Sequence, residues 1–226
     1  MKNIISIDKS IILACDVSLE KFEEIVKQTA DIEKVGGYKI PATSGFKGWV
    51  NWVDTARTYT SKPLIYDHQK AATDIPDTAK KFMDCLSAAD FDAVILFPRV
   101  NDYEVQKAWI EAAFEQDLGV IVGGEMTHQK EYYLYEINKI YSTAIHLGVS
   151  DFVVPGNRPD DIKRIRESLE KREISPTFYA PGFGIQGGDI TKSSKAAGER
   201  FHAIVGRGIY QANDIKKATL DLASKL

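Results

Sequence analysis

Short apolar segments recur along this chain, and each is followed by a segment whose apolar residues return every three or four positions. Short apolar runs are typical of buried parallel strands, whereas the second pattern is typical of amphipathic helices. The predicted strands are residues 11–17, 37–40, 64–66, 93–97, 119–123, 152–154, 177–180 and 203–205. The predicted helices are residues 19–29, 46–56, 78–88, 102–115, 132–146, 159–170, 191–199 and 212–226.

Regular alternation of strand and helix predicts βαβ units and therefore a parallel sheet. Eight such units in 226 residues, at roughly 28 residues each, match a compact (β/α)8 TIM barrel, which is an α/β fold. No Pro/Ser-rich linker, charge block or strict repeat divides the sequence, so we expect residues 1–226 to form a single barrel domain. A doubly wound open sheet is the main alternative fold.

Charge and composition limit the partners that this protein can have. The net charge is -3, from 29 Lys and Arg against 32 Asp and Glu, so the chain has no overall attraction for nucleic acid or an anionic membrane. An anionic ligand must therefore be held by a local site. Lys2, Asp8 and Lys9 interrupt the apolar residues near the start, no later segment is long enough to span a bilayer, and the two cysteines form no CxxC pair. We therefore expect a cytoplasmic protein.

In a barrel of this type, the chemistry lies where strands end and the loops to the next helix begin. Charged residues stand at several of these points: Asp16 near the end of the first predicted strand, Lys39 in the second, Asp67, Lys70 and Asp74 after the third, and Glu125 after the fifth. A lysine between two carboxylates is costly to desolvate, so the third tract suggests chemistry rather than packing. The alternative interpretation is a solvated surface turn in which Asp77 or Thr78 caps the next helix.

Glycines dominate the loops after the last two strands. The segment PGFGIQGGD, residues 181–189, follows the seventh strand, and Gly206-Arg207-Gly208 follows the eighth. Glycine lets backbone N–H groups approach an anion closely, and an arginine can add a bidentate contact. Because phosphate is frequently bound after strands seven and eight of such barrels, these two loops predict a phosphate site.

Six motifs occur in an order that resembles one protein family. They are ILACDV, YKI, the acidic-lysine-acidic tract that ends in DIPDT, EMTH, PGFGIQGGD and IVGRGIY. Their order and spacing around eight predicted βα units resemble those of orotidine 5'-phosphate decarboxylases, from residue 11 to about residue 212. The resemblance implies a homodimeric carboxy-lyase, without metal or organic cofactor, that converts orotidine 5'-phosphate to UMP in de novo pyrimidine biosynthesis.

The resemblance also implies a role for each matching residue. The family's alternating charged network would be formed by Lys39, Asp67, Lys70 and Asp74. Within it, Lys70 would protonate the C6 carbanion of the substrate, and Asp74 with Thr78 would reach the site of the partner subunit. The other expected substrate contacts are Asp16 and Lys39 at the ribose, Thr127 at the pyrimidine, Pro181 in the pocket wall, and Gln186, Gly187, Gly188, Gly206 and Arg207 at the phosphate.

The spacing of the charged tract departs from the family pattern. The family has its lysine two residues after the first aspartate and its second aspartate three residues later, whereas the gaps here are three and four. Positions two apart share one face of a strand, and positions three apart do not unless the backbone bulges or has left the strand. The sequence therefore predicts a different local geometry around Asp67 and Lys70, with His68 and Gln69 as the residues that can intrude on the site.

Two other functions stay open. A Mg2+-dependent lyase resembling hexulose-6-phosphate synthase belongs to the same superfamily, but it carries an acidic residue where this chain has Lys39, whose charge opposes a divalent ion. A non-catalytic homologue that binds nucleotides would keep the phosphate loops and lose the chemistry. The set of Lys and Asp residues argues against this second possibility, whereas their altered spacing leaves it open.

Overall fold

The computed structural model describes residues 3–68, 71–98, 102–125, 127, 134–184 and 187–226. Within these residues, eight strands alternate with helices. The strands β1 to β8 are Lys9–Ala14, Val35–Pro41, Leu64–Asp67, Ala93–Leu96, Gly119–Gly123, Asp151–Val153, Thr177–Pro181 and Arg200–Val205. The helices α1 to α9 are Leu19–Thr29, Trp49–Arg57, Pro76–Ala88, Tyr103–Glu115, Leu134–His146, Pro159–Glu170, Ile190–Ala197, Arg207–Tyr210 and Ile215–Ala223. A 3-10 helix, Ala42–Lys47, lies between β2 and α2.

Each strand pairs in parallel with the next strand in sequence, and β8 pairs with β1, so the sheet closes into a barrel. This arrangement confirms the predicted (β/α)8 fold and excludes a doubly wound open sheet, which would leave two edge strands. The longest helices have 13 residues. Within the part of the chain that the structure describes, none is long and apolar enough to cross a membrane.

Alternation of side chains along the strands divides the core into two layers. Ile12 of β1 belongs to the cluster inside the barrel, whereas its neighbour Ile11 belongs to the larger cluster between the strands and the helices. Ile4, which precedes β1, packs against the interior cluster. A Cβ on Gly119, the first residue of β5, would lie 2.5 Å from Cγ1 of Ile4, so this isoleucine closes the N-terminal end of the barrel.

The same alternation decides which polar residues face the barrel interior. Strand pairing aligns Lys39 of β2 with Ile65 of β3, which packs inside the barrel. Asp67 lies two residues after Ile65 and therefore on the same, inward face. Lys39 and Asp67 are consequently neighbours at the C-terminal end of the barrel, although they are 28 positions apart in sequence.

Element boundaries differ from the predicted ones in two instructive places. β8 begins at Arg200 rather than at residue 203, because the interior accommodates a polar side chain, His202, which is 0% exposed. α2 begins at Trp49 rather than at residue 46, because the chain first forms the 3-10 helix and then turns at Gly48, whose φ is 85°. In both places the pattern of apolar residues alone predicted the wrong first residue of the element.

Candidate active site

A cavity of about 230 Å³ opens at the C-terminal end of the barrel. Its wall is formed by strand ends and the loops that follow them, as expected for this fold. The predicted site residues that line it are Asp16, Lys39, Asp67, Thr127, Pro181, Gly206 and Arg207. The closed barrel thus gathers residues from both ends of the chain into one place.

A buried ion pair lies in the cavity wall. Nζ of Lys39 is 2.5 Å from Oδ2 of Asp67 and 3.9 Å from Oδ2 of Asp16. Lys39 and Asp67 are each 7% exposed. Burial by itself lowers the pKa of Lys39, but the carboxylates of Asp67 and Asp16 outweigh this effect and raise that pKa, so the ammonium stays protonated. Lys39 is therefore a fixed positive charge beside the cavity.

The Asp67 carboxylate has one oxygen without a partner. Oδ2 accepts the hydrogen bond from Lys39, whereas Oδ1 is buried and has no hydrogen-bond partner among the described residues. Leaving a buried acceptor unsatisfied typically costs about 1–3 kcal/mol, and more for a charged group. The site is therefore complete only when a further donor, from a ligand or from the loop after Asp67, reaches Oδ1.

The loop after β3 carries the other two members of the predicted charged network. Lys70 lies outside the described residues. Asp74 is exposed and is not among the described residues that line the cavity, and its Oδ1 accepts a hydrogen bond from the N–H of Ile75 at 2.8 Å. The hydroxyl of Thr78 donates to the carbonyl of Ile75. Within one chain, Asp74 and Thr78 are thus not brought to the cavity that holds Lys39 and Asp67.

The alternative interpretation of this tract as a helix cap is wrong. α3 begins at Pro76, and its N-cap residue, Ile75, has no side-chain hydrogen bond. Asp77 and Thr78 consequently lie inside the first turn of the helix, so neither one caps it. A proline at the first helical position needs no N–H partner there, which explains why the helix starts without a polar cap.

His68, one of the two residues expected to be able to intrude on the site, does not do so. Its ring lies against Tyr66 and against Phe82 of α3, with ring centroids 6.0 and 5.9 Å away. Tyr66 belongs to the cluster outside the barrel, so His68 points away from the cavity. The other residue, Gln69, lies outside the described residues.

The glycine-rich loop after β7 folds back on itself. Phe183 and Gly188 form an isolated bridge, and the N–H groups of Gly188 and Gly187 donate to the carbonyls of Gly182 and Gly184 at 3.1 and 2.9 Å. The approach is so close that a Cβ on Gly188 would lie 2.5 Å from the Gly182 carbonyl oxygen. In this conformation, the two amides predicted to bind phosphate are thus already used inside the loop.

Two other predicted phosphate ligands follow β8. Arg207, the first residue of α8, is exposed and lines the cavity. Gly206 lies close to the end of β1, since a Cβ there would be 3.3 Å from the Ala14 carbonyl oxygen. The remaining predicted phosphate ligand, Gln186, lies outside the described residues. Lys39 and Arg207 line the same cavity, so an anionic ligand bound in it can contact both cations.

Sequence reasoning missed the role of a buried carboxylate in the same wall. Glu125 lies just after β5, is 4% exposed and lines the cavity. Its two oxygens are 2.9 Å from Arg158 and 3.0 Å from Arg164. Burial raises the pKa of Glu125, the charge of Asp161 adds to this effect, and the two guanidinium groups oppose it. The motif EMTH marks the position, but no local pattern pairs it with two arginines beyond β6.

Aromatic side chains complete the cavity wall. Those without a role predicted from the sequence are Phe97, Phe183 and Tyr210. An aromatic residue near a strand end is usually part of the core. Phe183 and Tyr210 lie within the motifs PGFGIQGGD and IVGRGIY, whereas no local signal marks Phe97. Only closure of the barrel assigns them to the cavity.

Comparison with known proteins assigns the barrel to a family. The model of the Orotidine 5'-phosphate decarboxylase / HUMPS family matches residues 9–222. This chain belongs to that family. The match extends over all eight strands, and it confirms the resemblance predicted from the six motifs.

Curated relatives within the family are named as decarboxylases. An orotidine 5'-phosphate decarboxylase of Methanosarcina mazei is 31% identical over 222 residues, which cover 95% of this chain and 94% of the relative. One of Methanocaldococcus jannaschii is 30% identical over 199 residues, which cover 87% of this chain and 87% of the relative. The similarity therefore extends over whole chains and is not confined to one motif.

Solved structures of the family have the same architecture. One is the crystal structure of the orotidine 5'-monophosphate decarboxylase of Methanocaldococcus jannaschii, complexed with the inhibitor BMP. Its TM-score with this chain is 0.83 at 26% sequence identity, and the match covers 96% of this chain and 98% of that chain. The enzyme of Pyrococcus horikoshii has a TM-score of 0.79 and 26% identity, with coverage of 95% and 98%.

Proposed function

We propose that this chain is a carboxy-lyase that decarboxylates orotidine 5'-phosphate to UMP in pyrimidine biosynthesis. The observation that carries the proposal is the buried pair of Lys39 and Asp67 in the cavity wall, with Asp16 3.9 Å from the same ammonium. These residues stand at the ends of neighbouring strands, where the resemblance expects the charged network. The family match and the decarboxylase relatives support the same reaction.

The chemistry of the reaction explains why fixed charges are needed. Loss of CO2 from C6 leaves a carbanion with no conventional electron sink, so an ammonium group must stabilise the carbanion and then protonate it. We assign this role to Lys70, three residues after Asp67. Oδ1 of Asp67, which has no partner among the described residues, can accept a hydrogen bond from the Lys70 ammonium, as Oδ2 already does from Lys39.

The other cavity residues fit the other parts of a nucleotide. We assign Asp16 and Lys39 to the ribose hydroxyls, because a carboxylate and an ammonium together satisfy both the donor and the acceptor of a hydroxyl. Thr127 and Pro181 are assigned to the pyrimidine side of the cavity. The phosphate ligands are assigned to Gln186, Gly187, Gly188, Gly206 and Arg207.

The glycine-rich loop would have to rearrange when phosphate binds. The N–H groups of Gly187 and Gly188 donate within the loop, so they become available to phosphate only after those bonds open. Binding energy from the phosphate, which lies far from the reacting carbon, would in this way drive closure of the loop over the base. The barrier reduction needed for such a slow reaction, on the order of 20 kcal/mol, exceeds what one lysine can supply.

The geometry disfavours the two rival functions. A Mg2+ ion would need the carboxylates of Asp16 and Asp67, but the protonated ammonium of Lys39 lies close to both and opposes a second cation. A non-catalytic nucleotide-binding protein has no need of a buried ion pair, which is costly to desolvate and stabilises the fold little.

A single-turnover assay with orotidine 5'-phosphate tests the proposed reaction. Protein in excess over substrate should form UMP and CO2, and EDTA should leave the rate unchanged, because the proposed steps use side chains alone. Lys39→Ala should lose this activity, whereas the matched variant Lys80→Ala, which removes an exposed lysine of α3, should retain it. Folded wild-type protein that forms no UMP would exclude the decarboxylase, and a strict Mg2+ requirement would favour the lyase.

We also propose that two copies of the chain form a homodimer in which Asp74 and Thr78 complete the partner's site. Asp74 is exposed at the start of α3. Large apolar side chains are exposed at the starts of three consecutive helices: Val50 at 53%, Ile75 at 60% and Tyr103 at 41%. These helices all begin on the C-terminal side of the barrel, so the three side chains lie on the same side as Asp74, where a second copy would cover them.

Mixing two inactive variants tests the shared site. The Lys70→Ala and Asp74→Ala homodimers should each be nearly inactive. A mixed dimer has one site with both residues intact and one site lacking both, and random exchange makes half of the dimers mixed, so activity should recover to about a quarter of wild type. Subunit exchange verified with an isotope-labelled chain, but without recovered activity, would show that Asp74 acts within its own chain.

A further inference from the structure

The loop after β3 is held at its start by a side chain that the proposed mechanism does not use. Alternation along the strand points Asp67 into the barrel and turns His68 outward, toward the helices. There the ring of His68 packs against Phe82 and Tyr66, with centroids 5.9 and 6.0 Å away. Oη of Tyr66 lies 3.3 Å from Nδ1 of His68, within hydrogen-bond distance.

These contacts belong to a larger group of rings, which we call the aromatic cluster. Its members are Trp49, Tyr66, His68, Phe82, Phe91 and Trp109. Phe82 links His68 to Trp109, whose ring centroid is 5.2 Å away. Nε1 of Trp109 donates a hydrogen bond to the carbonyl of Asp74 at 3.1 Å. The aromatic cluster therefore contacts both ends of segment 68–74.

Backbone contacts hold the middle of the segment. The N–H of Ala71 donates to the carbonyl of His68 at 2.6 Å, and the carbonyl of Ala71 accepts from the N–H of Phe97 at 3.1 Å. Ala72 is 0% exposed and has a φ of 70°, a conformation that costs a residue other than glycine on the order of 1 kcal/mol or more. Such a conformation persists only where the surroundings impose it, so the backbone at Ala71 and Ala72 is firmly held.

We propose that His68 is a positioning residue, which ties the start of this loop to Tyr66 and Phe82 and thereby sets the place of the Lys70 ammonium beside Asp67. Lys70 lies between His68 and Ala71 in sequence, and the N–H of Ala71 donates to the carbonyl of His68. A shift of His68 would therefore move one of the two fixed points between which the chain carries Lys70. The inference rests on the proposed decarboxylase function. A catalytic lysine on a loop needs such a fixed point, because a displacement of about 1 Å can lower a rate about 100-fold.

The kinetics of His68→Ala separate positioning from binding. The kcat for orotidine 5'-phosphate should fall about 10- to 100-fold, while the Kd for UMP stays within about threefold, because the ring lies outside the cavity. The control variant His146→Ala removes an exposed histidine of α5 and should change neither value. An unchanged kcat in His68→Ala, or equal losses of kcat and UMP affinity, would overturn the proposal.

A double-mutant cycle tests the contact through which His68 acts. Tyr66→Phe removes only the hydroxyl group and should lower kcat by about two- to tenfold. Adding this change to His68→Ala should cause little further loss, because both substitutions remove the same contact. If the two losses of kcat multiply fully in the double variant, His68 does not act through its contact with Tyr66.

Amide hydrogen exchange gives a readout that needs no turnover. In His68→Ala, segment 68–75 should exchange at least about tenfold faster than in wild type, while the barrel strands stay protected. If the wild-type protein does not convert orotidine 5'-phosphate, the proposed function fails. Hydrogen exchange then tests by itself whether His68 holds the loop after β3. Unchanged protection of segment 68–75 would then show that His68 does not hold the loop.

Discussion

The two ends of the barrel interior bury different kinds of polar pair. At the C-terminal end, Lys39 and Asp67 form an ion pair, and each is 7% exposed. At the N-terminal end, Ser10 and His202 are 0% exposed, and Oγ lies 2.8 Å from Nδ1. Burial lowers the pKa of His202 to about 3, and the charge of Arg200 acts in the same direction, so this imidazole is neutral at neutral pH.

This difference shows where the protein needs charge. A buried ion pair is a weak source of stability, since apolar residues of similar volume often stabilise a fold equally well or better. A neutral hydrogen-bonded pair is far less costly to bury. The charged end opens into the cavity, whereas the neutral end is closed by Ile4. The ion pair is therefore placed where it can act on a ligand, whereas the pair of Ser10 and His202, which lies away from the cavity, is neutral.

Of the changes at the charged end, removal of Lys70 should have the largest effect on activity. We expect Lys70→Ala to lower kcat by about 10⁴-fold or more, because it removes both the stabilising charge and the proton donor. The affinity for UMP, measured by calorimetry, should change little, since the lysine acts on charge that develops only in the transition state. Activity near that of wild type would instead assign proton donation to Lys39.

Breaking the buried ion pair should separate stability from activity. Lys39→Met leaves the Asp67 carboxylate without its partner and should lower the free energy of unfolding by about 3–5 kcal/mol. The double variant Lys39→Met/Asp67→Leu should recover most of that loss and yet remain inactive. Urea unfolding measures both values. A double variant as unstable as the single one would mean that the pair itself stabilises the barrel, and the contrast between the two ends would no longer hold.

Arg207, an exposed residue of the cavity wall, should affect only the turnover of substrates that carry phosphate. We expect Arg207→Ala to lower kcat/KM for orotidine 5'-phosphate by about 100-fold, as for the loss of a hydrogen bond to a charged group. The value for phosphate-free orotidine should stay nearly constant, and so should the urea midpoint, because the side chain is exposed. Equal losses with both substrates would show that Arg207 has a structural role.

The smallest effect is expected from acid, which should destabilise the protein through the neutral pair of Ser10 and His202. The pKa of His202 is lowered from 6.5 to about 3 in the folded protein, so the unfolded chain binds the extra proton first as the pH falls. This contribution to stability is complete above pH 6.5 and is lost toward pH 3, which amounts to about 2 kcal/mol between pH 7.5 and pH 5. His202→Asn should remove that part of the pH dependence in urea titrations. An identical pH dependence in both proteins would place the acid sensitivity elsewhere.

The fold and much of the candidate site were predictable because their signals are local. Apolar runs mark strands that are buried on both faces, and the position of a polar residue at a strand end determines which loop carries it. Asp16, Lys39 and Asp67 were therefore expected at one end of the barrel and do line one cavity. Their catalytic and binding roles stay predictions, as do the homodimer and the cytoplasmic location.

Other features could not be predicted because they depend on distant partners. Glu125 is held by Arg158 and Arg164, and the pairing arises only when β5 and β6 are neighbours in the closed barrel. The start of β8 was predicted too late because His202 is polar, although its partner Ser10 lies on the adjacent β1. A local apolar pattern contains no information on which polar residue will find a buried partner.

The sequence by itself determined the family, the order of eight strands and helices, and the strand ends at which charged residues stand, because periodicity and motif order are properties of the chain. Only the tertiary structure decided the contacts between elements. It paired Lys39 with Asp67, left Oδ1 of that aspartate without a partner among the described residues, and turned His68 outward into the aromatic cluster. Those outcomes depend on strand register and barrel closure, which join residues far apart in sequence.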